Sequence, residues 1–253
     1  MRNPIYSIYE ASLERQLDKG NIPKHIAVML DGNRRWADKN NGLKAKSGHA
    51  AGAQKIFDFL SWCDELNVPV ITLYLLSTEN LKQRNTQELQ DLFVILDDLA
   101  KEMVNRGNWK IRVMGDRNAL SKDFLESLEH SEKASANTKG ATVNLAIGYG
   151  GRQEITDAMR SIVQTSIASG DDLSKLSDSL TPELIASHLY TSDQPDPDLI
   201  IRTSGEQRLS GFLLWQSSNS ELYFEEALWP DFRKVDFLRA IRAFTRRHRR
   251  FGA

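Results

Sequence analysis

The chain has little of what would tie it to an oxidising or lipid environment. Cys63 is its only cysteine, so no intrachain disulfide can form. Its place in the helical stretch Ile56-Phe-Asp-Phe-Leu-Ser-Trp-Cys63 suits a buried, inert thiol better than a nucleophile. The longest apolar runs are strand-length, far below the ~20 residues that a bilayer span needs. No charged n-region followed by an apolar h-region opens the chain, so a cytoplasmic protein is expected. Charge of one sign is missing too: 33 Lys and Arg against 34 Asp and Glu leave a formal net charge of −1. That balance disfavours a general nucleic-acid-binding surface. There is no internal repeat, and nothing divides the 253 residues into two comparable cores, so one large domain is expected.

What is present is alternation. Apolar runs near 25–31, 68–76, 110–115, 142–147, 198–202 and 221–224 read as strands. Periodic segments near 49–66, 87–105, 122–135, 152–168, 182–189 and 234–248 read as helices. Such alternation predicts an α/β fold, a single domain with a mostly parallel central sheet flanked by helices. The polar segments 170–179 and 192–198 read as surface connections. Residues 1–22 form an N-terminal helical extension in which Ile5, Ile8, Tyr9, Leu13 and Leu17 recur at helical spacing. It docks either on the body, residues 23–253, or on a neighbour.

The most informative stretch is His25-Ile-Ala-Val-Met-Leu-Asp31-Gly-Asn-Arg-Arg-Trp36. A strand apolar enough for the middle of a parallel sheet stops at a carboxylate, and ligands of open α/β sheets collect beyond the carboxyl ends of strands. Gly32 lets backbone approach a ligand, and a helix beginning near Arg34 would aim N–H groups at an anion. The competing reading is a βα turn whose aspartate caps the next helix.

Four more segments point the same way. Ser77-Thr-Glu-Asn80 follows the strand Val70–Leu76, and Asn144–Arg152 follows Thr142-Val143. Asp198–Ser210 precedes Phe212–Gln216, and Ser220–Phe224 leads to Leu228-Trp-Pro-Asp-Phe232. Together these motifs resemble the cis-prenyltransferases, the isoprenyl diphosphate synthases that include undecaprenyl diphosphate synthase, over roughly residues 23–252. Leu75-Leu-Ser-Thr-Glu-Asn-Leu81 and Tyr190–Asp198 resemble the actinobacterial-type branch with short products.

The resemblance implies a Mg²⁺-dependent homodimer with a hydrophobic product tunnel, in which residues 23–253 are the catalytic domain. Isopentenyl diphosphate and an allylic diphosphate of geranyl or farnesyl type would be its substrates. Asp31 matches the aspartate that holds Mg²⁺ and supports departure of diphosphate, and Glu221 matches a second acidic metal-site residue. Asn80 matches a position assigned to proton transfer; a neutral amide is a poor base, so an orienting or relay role is expected. Arg35, Arg202 and Arg208 fall in the matched motifs and offer paired donors to phosphate oxygens. Gly32, Asn33, Arg34, Trp36, Ser77, Thr78, Glu79, Leu209 and Ser210 belong to the same substrate-binding motifs. His49, in Ser47-Gly-His-Ala-Ala-Gly52, matches a Gly-His pair that helps hold a diphosphate. Trp36 would serve equally well as a core anchor for the following helix, but its position directly after the arginine pair favours a wall of the substrate site. Arg250-Phe-Gly252 resembles a C-terminal Arg-x-Gly that reaches towards the partner subunit's site, although a basic helix end is also ordinary.

Three departures stand out. Arg34 replaces the usual glycine, Ala45 stands where an arginine is expected, and Leu81 replaces a tryptophan. The arginine expected two residues after Leu81 is Gln83, with Arg84 next, so either fills that place. Leu75 matches a position that is small in long-chain relatives, which implies a short product such as Z,E-farnesyl diphosphate. A long-chain synthase and a catalytically silent partner subunit are the alternatives, and a long product would entail transient membrane contact. Gly148-Tyr-Gly-Gly-Arg152 fails as a dinucleotide turn, because Gln153 stands where the third glycine is needed.

Overall fold

The computed structural model describes residues 4–40, 42–170, 174 and 176–246. Six strands occupy the expected places: β1 (His25–Met29), β2 (Val70–Ser77), β3 (Lys110–Met114), β4 (Thr142–Tyr149), β5 (Leu199–Arg202) and β6 (Glu221–Phe224). They form one sheet in the order β3-β4-β2-β1-β5-β6, with every neighbouring pair parallel. The helices are α1 (Pro4–Arg15), α2 (Asn33–Lys39), α3 (Ala45–Glu65), α4 (Thr78–Gln83) and α5 (Thr86–Arg106). After them come α6 (Lys122–Ser135), α7 (Gly151–Ser169), α8 (Leu176–Ser179), α9 (Pro182–Ala186) and α10 (Lys234–Thr245).

All five residues of β1 are buried, as an apolar run covered on both faces requires. On one face Ile26, Val28, Leu73, Leu145 and Ile201 pack with Phe59 and Leu60 of α3, Leu96 and Met103 of α5, Leu128 of α6 and Ile241 of α10. The other face carries a smaller cluster in which Ala27, Met29, Ala146, Tyr149 and Ile200 meet Phe212 and Leu213. The N-terminal extension docks on the body: Leu13 and Leu17 join the larger core, and Tyr9 accepts a 3.2 Å hydrogen bond from Arg239 of α10.

Three elements differ from the sequence pattern. Helix α4 was not apparent; it forms because the Ser77 hydroxyl caps it, accepting from the Asn80 N–H at 3.0 Å. Helix α9 stops at Ala186 rather than near 189, since the Tyr190 N–H turns away to the buried Glu154 carboxylate at 3.0 Å. The 170–179 connection contains the short helix α8. No helix among the described residues is long and apolar enough to cross a membrane.

Strand order decides where a site can form. From β1 the chain moves to β2 on one side and later reaches β5 on the other. The direction of winding therefore reverses around β1, and a crevice opens at its carboxyl end. Asp31 sits there, with Ser77 ending the strand on one flank and Arg202 ending that on the other.

Candidate active site

A cavity of about 1080 Å³ opens over the carboxyl ends of β1, β2 and β5. Six arginines and four carboxylates line it, so before any metal binds its charge favours an anion. The arginines are Arg34, Arg35, Arg84, Arg152, Arg202 and Arg208; the carboxylates are Asp31, Asp38, Glu79 and Glu206.

The Asp31 side of the cavity is an ion-pair network. Arg202 is buried, and its Nη2 donates to Asp31 Oδ2 at 2.9 Å, while its Nη1 donates to the Arg208 carbonyl and to Ser210 Oγ at 3.0 Å. Its Nε has no partner. Arg35 lies 3.7 Å from Asp31 Oδ1, and its guanidinium donates to Ser204 Oγ at 2.6 Å. Arg208 pairs with Glu206 yet stays mostly exposed, facing the opening. The arrangement presents two carboxylates, Asp31 and Glu206, and three guanidinium groups to the same space.

The opposite side is built by a helix crossing. A Cβ on Gly48 would come within 2.1 Å of the Asn33 carbonyl, and one on Gly52 within 2.2 Å of Asn33 Oδ1. Only glycine lets α3 lie this close to α2. The crossing sets His49 into the cavity wall, where Arg84 Nη1 approaches its Nε2 at 3.3 Å and Glu88 at 3.6 Å. Burial, followed by the positive charge of Arg84, lowers the His49 pKa to about 4, so the ring is neutral at pH 7. Arg84 Nε is buried without a partner. Arg34 and Arg152 line the cavity without forming an ion pair among the described residues.

Between these sides lies the floor. Ser77, Thr78, Glu79, Asn80 and Gln83, from the end of β2 and α4, line it, as do Gly32 and Asn33. Gly32 has φ +108°, and Leu228 blocks a Cβ there at 2.8 Å; packing as well as ligand approach demands glycine. The pairing of β2 with β4 shifts around Leu75, which is the extra residue of a bulge. Bulges re-aim side chains, and Leu75 reaches the cavity although it also packs on the larger core. Apolar lining is limited to Met29, Leu30, Tyr74, Leu75, Leu76 and Leu214.

Several expected residues lie elsewhere. Trp36 is outside the cavity; its Nε1 donates to Asp231 Oδ1 at 2.8 Å, which makes it an anchor for α2. Leu81 packs on the larger core and Leu209 on the smaller one. Glu221 opens β6, level with Leu199 and hence with Ile26. It is three residues below Met29, the last residue of β1, or about 10 Å at strand rise. Within one chain it therefore does not meet Asp31. Arg250 and Gly252 lie outside the described residues. In the 83–84 pair, Arg84 makes the contacts with His49 and Glu88, while Gln83 is exposed.

Tyr74, Arg152, Gln153 and Glu206 also line the cavity but were not singled out as site residues. Arg152 and Glu206 lie inside recognised motifs, so their charge was the available signal. Tyr74 read as one more strand residue; its ring stacks on Phe212 at 4.5 Å.

The sequence profile described as "Putative undecaprenyl diphosphate synthase" matches residues 29–252. The chain is 48% identical over 252 residues to an isoprenyl transferase 1 of Streptomyces avermitilis, covering 100% of this chain and 97% of that protein. It is 50% identical over 252 residues to a (2Z,6E)-farnesyl diphosphate synthase of Thermobifida fusca, covering 100% and 98% respectively. Among solved structures, lavandulyl diphosphate synthase from Lavandula x intermedia in complex with dimethylallyl diphosphate superposes with a TM-score of 0.84 at 32% identity. That likeness covers 92% of this chain and 100% of the plant enzyme.

Proposed function

The chain belongs to the undecaprenyl diphosphate synthase family, and from that premise we propose that it condenses isopentenyl diphosphate with a short allylic diphosphate to give a short, Z-configured prenyl diphosphate. The observation that carries this reading is the cavity's two cationic sides, Arg35–Arg202–Arg208 around Asp31 and Arg34–Arg84 beside His49, with Asn80 on the floor between them. Two diphosphate heads need two such sides, held apart so that the reacting carbons meet between them.

Each residue then has a task set by its position. Arg202, held by Asp31 and Ser210, presents an unsatisfied Nε, and Arg208 adds a mobile charge at the opening. Arg34 and Arg84 receive the other head, with neutral His49 acting as a hydrogen-bonding group rather than a cation. As the diphosphate leaves the allylic carbon, these guanidinium groups stabilise the charge that develops on it. The double bond of isopentenyl diphosphate attacks that carbon, and loss of a proton fixes the new double bond. The departing diphosphate takes that proton, and Asn80, at the first turn of α4, orients it by hydrogen bonding.

Among the described residues no three His, Cys, Asp or Glu side chains gather as a metal cage. A single carboxylate still suits Mg²⁺, which completes its octahedron with phosphate oxygens and water. Asp31 fits that role, since Arg202 engages its Oδ2 at 2.9 Å while Arg35 stands 3.7 Å from Oδ1. Mg²⁺ bound there would supply Lewis-acid stabilisation of the leaving diphosphate. Homodimerisation, with Arg250-Phe-Gly252 as the cross-subunit segment, belongs to the same reading, as does a cytoplasmic location.

Product length rests on Leu75. As the extra residue of a bulge it adds bulk beside Leu30 and Leu76 at the apolar end of the cavity, and forcing carbons past a packed wall costs about 1–3 kcal/mol. The test is incubation of purified protein with Mg²⁺, labelled isopentenyl diphosphate and dimethylallyl, geranyl or farnesyl diphosphate. A fifteen-carbon product from geranyl diphosphate is expected. No incorporation with any primer would sink the catalytic reading in favour of a silent partner subunit.

A further inference from the structure

We propose that Thr203 is a positioning residue for Asp31, fixing the backbone of that residue while its neighbour Arg202 fixes the side chain. The proposal rests on the prenyl-transfer reading only for what Asp31 does; the geometry stands by itself. Strand β1 ends at Met29 and β5 at Arg202, so residues 30–32 leave the sheet without ladder hydrogen bonds to hold them. Thr203 takes over where the ladder stops. It is fully buried, and its Oγ1 accepts from the Asp31 N–H at 3.0 Å while lying 2.8 Å from the Asp31 carbonyl and 3.2 Å from that of Met29.

A hydroxyl has one proton to give. Accepting from the Asp31 N–H, it donates to the nearer carbonyl, that of Asp31, so both backbone groups of one residue end on one oxygen. Arg202, the last residue of β5, reaches the Asp31 carboxylate at 2.9 Å, and Thr203, the first residue beyond the strand, reaches its backbone. The two restraints together set the direction of the carboxylate. Reacting groups must be held to about 0.5 Å and 10–20°, and Thr203 is the restraint that ties the Asp31 backbone to the end of β5, from which Arg202 holds the carboxylate.

The same geometry makes the role separable from folding. The Asp31 N–H has a second acceptor in the Met29 carbonyl at 2.9 Å, and the Asp31 carbonyl a second donor in the Trp229 N–H at 3.0 Å. Removing the hydroxyl therefore orphans neither group and deletes only the side-chain link from Thr203 to the Asp31 backbone, leaving the Arg202 ion pair in place.

The experiment compares Thr203→Val with Thr203→Ser in the full chain. For Thr203→Val we expect kcat to fall by about tenfold or more, with KM for both diphosphates within about threefold of wild type. Thr203→Ser should restore kcat. Wild-type kcat in Thr203→Val, or a Thr203→Ser variant as impaired as Thr203→Val, would overturn the proposal, the second outcome assigning the effect to the methyl group. Calorimetry of pyrophosphate binding with and without Mg²⁺ separates the two hypotheses. If wild type turns over no primer, prenyl transfer fails, yet loss in Thr203→Val of the Mg²⁺-dependent gain alone still supports the positioning role. Equal Mg²⁺-dependent gains in both proteins would refute it. Should Thr203→Val be insoluble, Thr203→Ala carries the same readouts.

Discussion

The two ends of the sheet treat polar groups in opposite ways. At the amino ends of β1, β2 and β4, His25 bonds through both ring nitrogens, to the Pro195 carbonyl at 2.7 Å and to Thr72 Oγ1 at 2.8 Å. Asn144 donates to Thr72 and exchanges two hydrogen bonds with Gln194. Every member of this buried network is paired. At the carboxyl ends, Arg84 Nε and Arg202 Nε are buried without partners, and Arg34 and Arg152 have no ion pair among the described residues. Buried donors normally find partners, so the unsatisfied end is where a ligand is awaited, and the satisfied end is where stability is gained.

Breaking the unsatisfied end should cost activity and spare the fold. The largest effect is expected for Asp31→Ala, with kcat lowered on the order of 10²–10³-fold. The fold should persist with a lowered thermal midpoint, because the carboxylate is 38% exposed yet pairs with buried Arg202, which keeps Ser210 Oγ and the Arg208 carbonyl as acceptors. Near-normal kcat with unchanged Mg²⁺ dependence would count against its assignment. Arg202→Ala comes next: it removes a buried charge-assisted contact and should raise KM for at least one diphosphate by tenfold or more, for a loss of about 1.5–3 kcal/mol. Arg208→Ala should do the same more weakly, as its side chain is 63% exposed. Unchanged KM values in both variants would place these arginines outside the binding site.

Breaking the satisfied end should do the reverse. Thr72→Val leaves His25 Nε2 and the Asn144 amide short of a partner, at a cost of about 1–3 kcal/mol, with kcat unaltered. Urea titration of this variant beside its kinetics decides. A kinetic defect without loss of stability would erase the contrast between the two ends. The same network should be legible in pH. Burial lowers the His25 pKa from 6.5 to about 4, so between those values the unfolded chain binds more protons than the folded one. Stability is therefore full above pH 6.5 and lost as pH falls towards 4. His25→Gln should flatten that slope, and an unchanged slope would assign it to other groups, His49 foremost.

The smallest effect on rate, and the sharpest on product, is expected at Leu75. Leu75→Ala should lengthen the product distribution with little change in initial rate. Chromatography showing the wild-type length would mean that another side chain sets the limit.

Much of this site was readable before the fold was known, because strand ends carry a signature. The H-I-A-V-M-L run ending in Asp31 reads as an inner parallel strand with a carboxylate at its rim, the helix-capping alternative for Asp31 falling away because Gly32 is the N-cap of α2, and the Arg202 segment is the same device on another strand. Leu75 required structure. Alternation from Leu73 puts it on the face of the larger core, where it packs, and only the fold shows that it also lines the cavity, at a bulge against β4. Glu221 shows the converse: its motif match says nothing of height in the sheet, and β6 pairing sets it level with Ile26.

The sequence by itself determined the sheet-and-helix alternation, the charged residues at the rim and the glycine after Asp31, because each depends on local periodicity or on the size of one side chain. Tertiary structure alone decided that Trp36 anchors α2, that Arg84 rather than Gln83 meets His49, and that Thr203 clamps Asp31. Those outcomes depend on which distant strands become neighbours. Asp31 and Thr203 are 172 positions apart, and only the parallel pairing of β1 with β5 brings them to hydrogen-bond distance.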